Sequence, residues 1–338
     1  MTAIRVVVVH ASASARTRLS STLQAEGATV VVGQASGAAD AIDAVRATTP
    51  DVVVLGLGMP EGGAQVIEEL MATDPVPILV LSPSRAGRDS DEAVAALMAG
   101  AVDVLPQPAV QDAAAGAALR ARVRIVAGVA VVRRTRRRPS VARRPAKAAA
   151  RRVPARQSIV AIGASTGGPA ALAVVLAGLG GVDAAVLVVQ HLHADFVNGL
   201  VSWMDRVSPL TVERAEDGAE LRAGSVYIAP SGVHLRVGKD DVVVLDPLPE
   251  SLHRPSVDVL FSSLAERASG RTIGVLLTGM GEDGAAGMLA LRRRGAVTIA
   301  QDETTSVVFG MPRAAQRLGA AAHVLPLDEI APAIVRAL

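Results

Sequence analysis

Short runs dense in valine and isoleucine recur along this chain, separated by amphipathic stretches long enough for helices. In the N-terminal part the runs fall at 4–9, 28–33, 51–56, 76–81 and 101–105. The amphipathic stretches fall at 13–26, 37–48, 63–73 and 89–99, and an Ala-rich helix within 109–132 closes the series. A strand that is apolar at nearly every residue has to be covered on both faces. Strand–helix alternation provides that cover when the strands run parallel and the helices cross over between them. The pattern predicts a flavodoxin-like, doubly wound α/β domain.

The alternation resumes further on. Strands are predicted at 158–163, 184–190, 225–230, 234–238, 241–246, 272–278, 296–301 and 321–326. Helices are predicted at 169–179, 195–205, 257–268, 284–294, 311–318 and 328–337. The stretch 225–246 breaks the rhythm and predicts a small antiparallel excursion. The fold class is therefore α/β, with two doubly wound parallel-sheet domains, the second Rossmann-like. The expected division is 1–132, a linker at 133–157, and 158–338.

The linker is set apart by charge. Residues 133–156 hold eleven Lys/Arg, three Pro and no acid, which leaves 23 basic against 32 acidic residues elsewhere. Such a segment cannot bury enough apolar surface to fold alone. It reads as a solvated tether, and without aromatic residues to stack on bases it does not predict specific nucleic-acid binding. The chain has no cysteine, which excludes disulfides and thiolate metal sites. With no signal-peptide layout and no long apolar run, no membrane insertion and a cytoplasmic location are expected.

The chemistry is concentrated in the second half. In 158–172, SIVAIGASTGGPAAL, an apolar strand runs into a Gly-rich turn, and a helix opens at Gly168-Pro169. Ser165 stands in that turn as the centre of a literal G-x-S-x-G, a weak signal alone. Two further strands end in reactive side chains: 184–190 runs into His191, and 272–278 runs into the loop that carries Asp283. In a parallel sheet the C-terminal strand ends share one edge, so Ser165, His191 and Asp283 can converge. A serine nucleophile, a histidine base and an orienting carboxylate make a triad. The chain order Ser…His…Asp is not that of α/β-hydrolases. A competing reading comes from Gly279-x-Gly281-x-x-Gly284 with Asp302 downstream, which satisfies a dinucleotide-binding fingerprint literally. It leaves Ser165 and His191 unexplained. Of the other candidates, His193 reads as a loop residue at the site mouth. His234, His253 and His323 share no metal-ligand spacing and read as incidental. Arg254 reads as either a carboxylate-binding group or half of an ion pair, and Trp203 as packing. No metal and no cofactor is expected.

Two resemblances sharpen this. The N-terminal part, through IRVVVV, PDVVVLGLGMP, ILVLS and GAVDVLPQP, resembles a response-regulator receiver domain. The receiver chemistry is missing. The resemblance places the Mg²⁺-binding acidic pair at His10 and Ala11, the phosphoacceptor at Gly56 and the conserved lysine at Gln107, with Ser82 at the switch hydroxyl. Hard cations need carboxylate oxygens, so no aspartyl phosphorylation is expected; His10 itself reads as a polar residue at a strand end. The C-terminal part, through AIGASTGGP, VVQHLHADF, VYIAP, RPSVDVLF, LLTGMGEDGAAGM and QDETTSVVFGMP, resembles the catalytic domain of the CheB family of chemotaxis protein-glutamate methylesterases. That resemblance implies a triad of Ser165, His191 and Asp283, with Thr166 and the Met280 backbone helping to hold the oxyanion. Glu282 stands where Asn is usual. It further implies hydrolysis of glutamate γ-methyl esters on the cytoplasmic helical region of methyl-accepting chemotaxis receptors. Deamidation of receptor glutamines is the same acyl chemistry with ammonia leaving. A non-catalytic signalling adaptor, or an esterase acting on a receptor-like protein outside chemotaxis, stays open.

Overall fold

The computed structural model of the chain describes residues 3–60, 62–83, 88–109, 112–129, 131, 158–238, 241–248, 251, 253–267 and 271–338. The chain divides into two compact units, Met1–Ser140 and Val141–Leu338. The basic segment 133–157 lies outside the described residues.

The first unit alternates β1 (Ile4–Val9), α1 (Ala13–Gln24), β2 (Thr29–Ala35), α2 (Ala38–Thr48), β3 (Val52–Gly56), α3 (Gly63–Thr73), β4 (Ile78–Ser82), α4 (Arg88–Ala99), β5 (Asp103–Pro106) and α5 (Ala113–Val126). The strands stand in the order β2-β1-β3-β4-β5, all parallel. This is the flavodoxin-like order. Every residue of β3 and β4 is buried, the outcome that their uninterrupted apolar runs require. Each such Val or Leu contributes roughly 1.5–3 kcal/mol by leaving water.

At the C-terminal edge of this sheet, His10 and Gly56 are neighbours. A Cβ at residue 56 would run into the His10 ring, lying 3.0 Å from Nε2 and 3.1 Å from Cγ. The imidazole thus occupies the room that a side chain at 56 would need. Its Nδ1 accepts the Ser12 N–H at 3.0 Å, and Gln107 hydrogen-bonds to the same ring. Burial lowers the His10 pKa; the Gln107 bond opposes this, and the charges of Arg16 and Arg18 reinforce it. Ser82 is fully buried beside this edge.

The second unit runs β6 (Ser158–Ala164), α6 (Gly168–Ala177), β7 (Ala184–Gln190), α7 (Ala194–Val207), β8 (Thr211–Arg214), β9 (Ser225–Ile228), β10 (His234–Val237) and β11 (Val243–Asp246). It continues with α8 (Val257–Ala265), β12 (Thr272–Leu276), α9 (Ala285–Arg293), β13 (Val297–Gln301), α10 (Met311–Arg317), β14 (His323–Leu325) and α11 (Leu327–Ala337). Seven strands form a parallel sheet in the order β14-β13-β12-β6-β7-β9-β8. The chain starts at the centre with β6, winds outward through β7, then returns to β12 and winds the other way. The switch point lies between β6 and β12, where doubly wound sheets open a crevice at their C-terminal edge. Helix α6 packs with α7 and α11, while α9 packs with α8 and α10, so both faces are covered.

One expectation is corrected. The run 225–230 does not belong to an antiparallel excursion; β9 lies in the main sheet, parallel to β7 and β8. Among the described strands, β10 and β11 are the pair that runs antiparallel. The strand that makes the difference, β8, has no apolar run because it is an edge strand with only Val212 buried. It covers β9, which is buried at all four residues. Among the described residues no helix is long and apolar enough to cross a membrane.

Filling the space at residue 56 has a predictable cost. Gly56→Ala should destabilise the first unit by about 1–3 kcal/mol through overpacking against His10. Adding His10→Ala should recover most of that loss. Hydrogen-exchange protection of β1 and β3 in the full-length chain reads both changes.

Candidate active site

Parallel pairing puts the first two site residues side by side. Ala164 of β6 stands opposite Gln190 of β7, so the next residues, Ser165 and His191, leave the sheet together. The His191 N–H donates to the Ala164 carbonyl at 2.9 Å. Ser165 is 8% exposed, shielded but not sealed. Its turn is latched from both flanks. The Ser165 N–H donates to the Thr278 carbonyl at 3.1 Å, and Gln190 Nε2 donates to the Ser165 carbonyl at 2.8 Å. Thr278 Oγ1 donates to the Thr166 carbonyl at 3.0 Å, and the Thr278 N–H donates to Gln301 Oε1 at 2.8 Å. Gly167 then takes φ +77°, a conformation that favours glycine, and caps α6. Thr166 is buried just ahead of that helix start, whereas Met280 is well exposed beyond β12.

Asp283 arrives from the loop after β12, the strand on the other flank of β6. Its carboxylate receives four hydrogen bonds. Oδ2 accepts from His191 Nε2 at 2.8 Å and from the Val257 N–H at 2.7 Å. Oδ1 accepts from Ser256 Oγ at 2.7 Å and from the Asp258 N–H at 3.0 Å. Ser256 is the N-cap of α8, so the carboxylate sits on a helix N-terminus, where donors and dipole both favour negative charge. Burial pushes the Asp283 carboxyl up, but these donors, His191 foremost, outweigh it and bring the pKa down to about 2. Behind Ser256 lies His234, fully buried, whose Nδ1 accepts the Ser256 N–H at 3.1 Å. Asp258 points the other way and accepts the Gly287 N–H at 2.6 Å, tying α8 to α9. Burial raises its pKa, against the backbone bonds that lower it.

An ionised Asp283 at Nε2 fixes the tautomer of His191. Nε2 carries the proton and Nδ1 keeps its lone pair. That Nδ1 is buried and, among the described residues, has no hydrogen-bond partner, Ser165 included. Catalytic hydrogen bonds are often long before substrate binds. The ring is turned round relative to the serine-protease template, in which the carboxylate takes Nδ1. On one face His191 stacks against His253, with ring centroids 4.4 Å apart and planes 19° from parallel.

Two of the three glycines of the competing fingerprint are closed in by packing, whereas Gly281, at φ +87°, has nothing within 4 Å of where a Cβ would stand. A Cβ at Gly279 would lie 2.7 Å from the Ser165 Cβ and would collide with Met311 Sδ. One at Gly284 would meet Val257 and Leu276 at 2.6 and 2.7 Å. At those two positions the space is filled by neighbouring side chains. Asp302 is occupied by the Thr304 hydroxyl and the Thr305 N–H. A cleft of about 720 Å³ opens on the acid side of the site, lined by His253, Asp258, Glu282, Asp283, Phe309 and Arg313 among others. Ser165 and His191 lie outside its lining.

Other candidates take lesser places. His193 caps α7 and accepts from the Asp195 N–H at 3.4 Å. Arg254 is exposed, and Trp203 is half-buried on α7. The reading of His234 and His253 as incidental is corrected: one supports Ser256 and the other faces His191. The cap at Ser256 has a local signal, serine and aspartate ahead of an apolar run. His234 and His253 have none, because each is defined by a partner brought near only by folding.

The depressed pKa carries a pH signature. A carboxyl ionised more readily when folded stabilises the fold above its unfolded pKa, near 3.8, and that contribution disappears as pH falls through about 2. The stability advantage of the native chain over Asp283→Asn should therefore shrink by roughly 2 kcal/mol between about pH 5 and pH 2. Urea unfolding of both chains across that range measures it.

Comparison with known proteins identifies the family. Residues 160–334 match the family model for the CheB methylesterase, and residues 6–117 match that for the response regulator receiver domain. A Geobacter metallireducens protein named protein-glutamate methylesterase/protein-glutamine glutaminase 4 is 40% identical over 98% of both chains. An Anaeromyxobacter dehalogenans protein of the same type is 44% identical over 98% of this chain and 96% of its own. The crystal structure of the Thermotoga maritima CheB methylesterase catalytic domain is 37% identical, with a TM-score of 0.50, over 54% of this chain and 99% of that one. A receiver domain followed by a seven-stranded catalytic-type sheet, with whole-length relatives of one kind, places this chain in the CheB methylesterase family.

Proposed function

We propose that the chain is a serine hydrolase that removes methyl groups from glutamate γ-methyl esters of chemoreceptors. The observation that carries this reading is the polarity of His191: Nε2 is bound to an ionised carboxylate at 2.8 Å, and the buried Nδ1 is left without a hydrogen bond among the described residues, on a residue that leaves the sheet next to Ser165. Ser165 Oγ attacks the ester carbonyl while Nδ1 takes its proton. A Ser–O–C bond forms, and the tetrahedral oxyanion is held by backbone N–H groups around Thr166 and Met280. The C–OCH₃ bond then breaks and methanol leaves with the proton from Nδ1. Water, deprotonated at the same nitrogen, opens the acyl-enzyme and releases the glutamyl carboxylate. With a glutamine side chain the leaving group is ammonia and the product is the same. The substrate's helical region is cytoplasmic, and so is the enzyme in this reading.

Regulation, in this proposal, does not pass through aspartyl phosphate. The acceptor position is Gly56, and the His10 ring fills the space in front of it. Position 11 is alanine and position 107 glutamine, so neither supplies the carboxylate or lysine that holds Mg²⁺ and phosphate.

Ser165→Ala should lose methanol release from methylated receptor fragments by on the order of 10⁴-fold or more, with the fold intact. Turnover near that of the native chain would remove Ser165 from the mechanism. Incubation with acetyl phosphate and Mg²⁺ should leave the full-length chain without an acyl phosphate and its turnover unchanged. Stable, alkali-labile phosphate on the first unit, or a rate that rises with the phosphodonor, would overturn the regulatory part.

A further inference from the structure

We infer that His253 is a positioning residue for the reaction: its ring fixes the plane of His191 and hence the direction of the lone pair on Nδ1. The inference rests on the acyl-transfer reading above. It starts from a deficit in how His191 is held. Among the described residues, the ring makes one hydrogen bond, Nε2 to Asp283, and Nδ1 makes none. The χ2 torsion of histidine is broad and does not select a ring plane by itself. Nε2 lies nearer the χ2 axis than Nδ1 does, so a modest rotation about that axis displaces it less, and the bond to Asp283 tolerates such a rotation. Nδ1 swings through a wider arc. One hydrogen bond therefore anchors the ring without aiming it.

His253 supplies the missing restraint. Its ring lies 4.4 Å from that of His191 with the planes 19° apart, so any turn of His191 about χ2 drives an edge into a flat face. Aromatic pairs in such contact gain about 0.5–1.5 kcal/mol beyond their area. The placement is economical in sequence: His253 lies three residues before Ser256, which donates to Asp283 Oδ1. The same stretch thus holds the acid and aims the base. Its backbone is tied down as well, since the His253 carbonyl accepts the Ser251 hydroxyl and the Arg254 carbonyl accepts the Gly232 N–H at 3.1 Å.

A flat ring is what this role needs, so His253→Ala and His253→Phe separate it from other roles. The alanine variant should lose kcat for methanol release by on the order of 10- to 100-fold, the size of a small misplacement of a reacting group, with KM little changed. The phenylalanine variant should recover most of that loss. The imidazole ¹⁵N signals of His191 should show one Nε2-protonated tautomer in the native and phenylalanine chains, and broadening or tautomer exchange in the alanine chain. Unchanged kcat in His253→Ala, or a phenylalanine variant as slow as alanine, would overturn the inference. A native chain with neither methanol release nor Ser165 labelling by a fluorophosphonate would instead overturn the hydrolase reading, while the ¹⁵N signals would still report whether the stack orders His191.

Discussion

A carboxylate cannot be buried at the end of a sheet unless its charge is met from every side. Asp283 meets that demand with four donors, two of them backbone N–H groups of α8 and one the α8 cap itself. Much of the second unit is arranged accordingly. The turn before α8 must bring Ser256 to Oδ1, His234 must back Ser256, and α8 must aim its N-terminus at the loop after β12. His191 is the fourth donor, so the group that satisfies the acid is also the group whose proton the acid fixes. Electrostatic satisfaction and tautomer choice are here one interaction.

Space is managed as tightly as charge. Gly279 has no side chain because Ser165 and Met311 occupy its place, and Gly284 because Val257 and Leu276 do. Read as a string, the glycines around Asp283 spell a nucleotide-binding loop. In the folded chain Gly279 lets Met311 and the Ser165 turn close in on each other, and Gly284 does the same for Val257 and Leu276. Close packing accounts for those two.

In the first unit the sheet and the residues at its C-terminal edge are separate matters. The parallel sheet and its order are intact, because they depend on buried valines and leucines that are all present. At its C-terminal edge stand a glycine, a histidine that fills the glycine's space, and a glutamine bonded to that histidine. These residues fit one another sterically, as in a packed cluster.

Strand and helix positions in both units were readable from the sequence because apolar runs and amphipathic periods are local and repeat. The edge strand β8 was not, since a strand wet on one side carries no apolar run, and without it β9 was assigned to the wrong pairing. Ser165, His191 and Asp283 stood out because each ends or follows a parallel strand, and parallel strands share an edge. The sequence by itself thus determined the layer architecture, the glycines at the turns and the reactive groups at the strand ends. Only the tertiary structure decided which nitrogen of His191 faces the acid, that His234 and His253 stand behind and beside the site, and that His10 fills the place in front of Gly56. Those relations join residues far apart in the chain through contacts of a few ångströms, and no periodicity along the chain records such contacts.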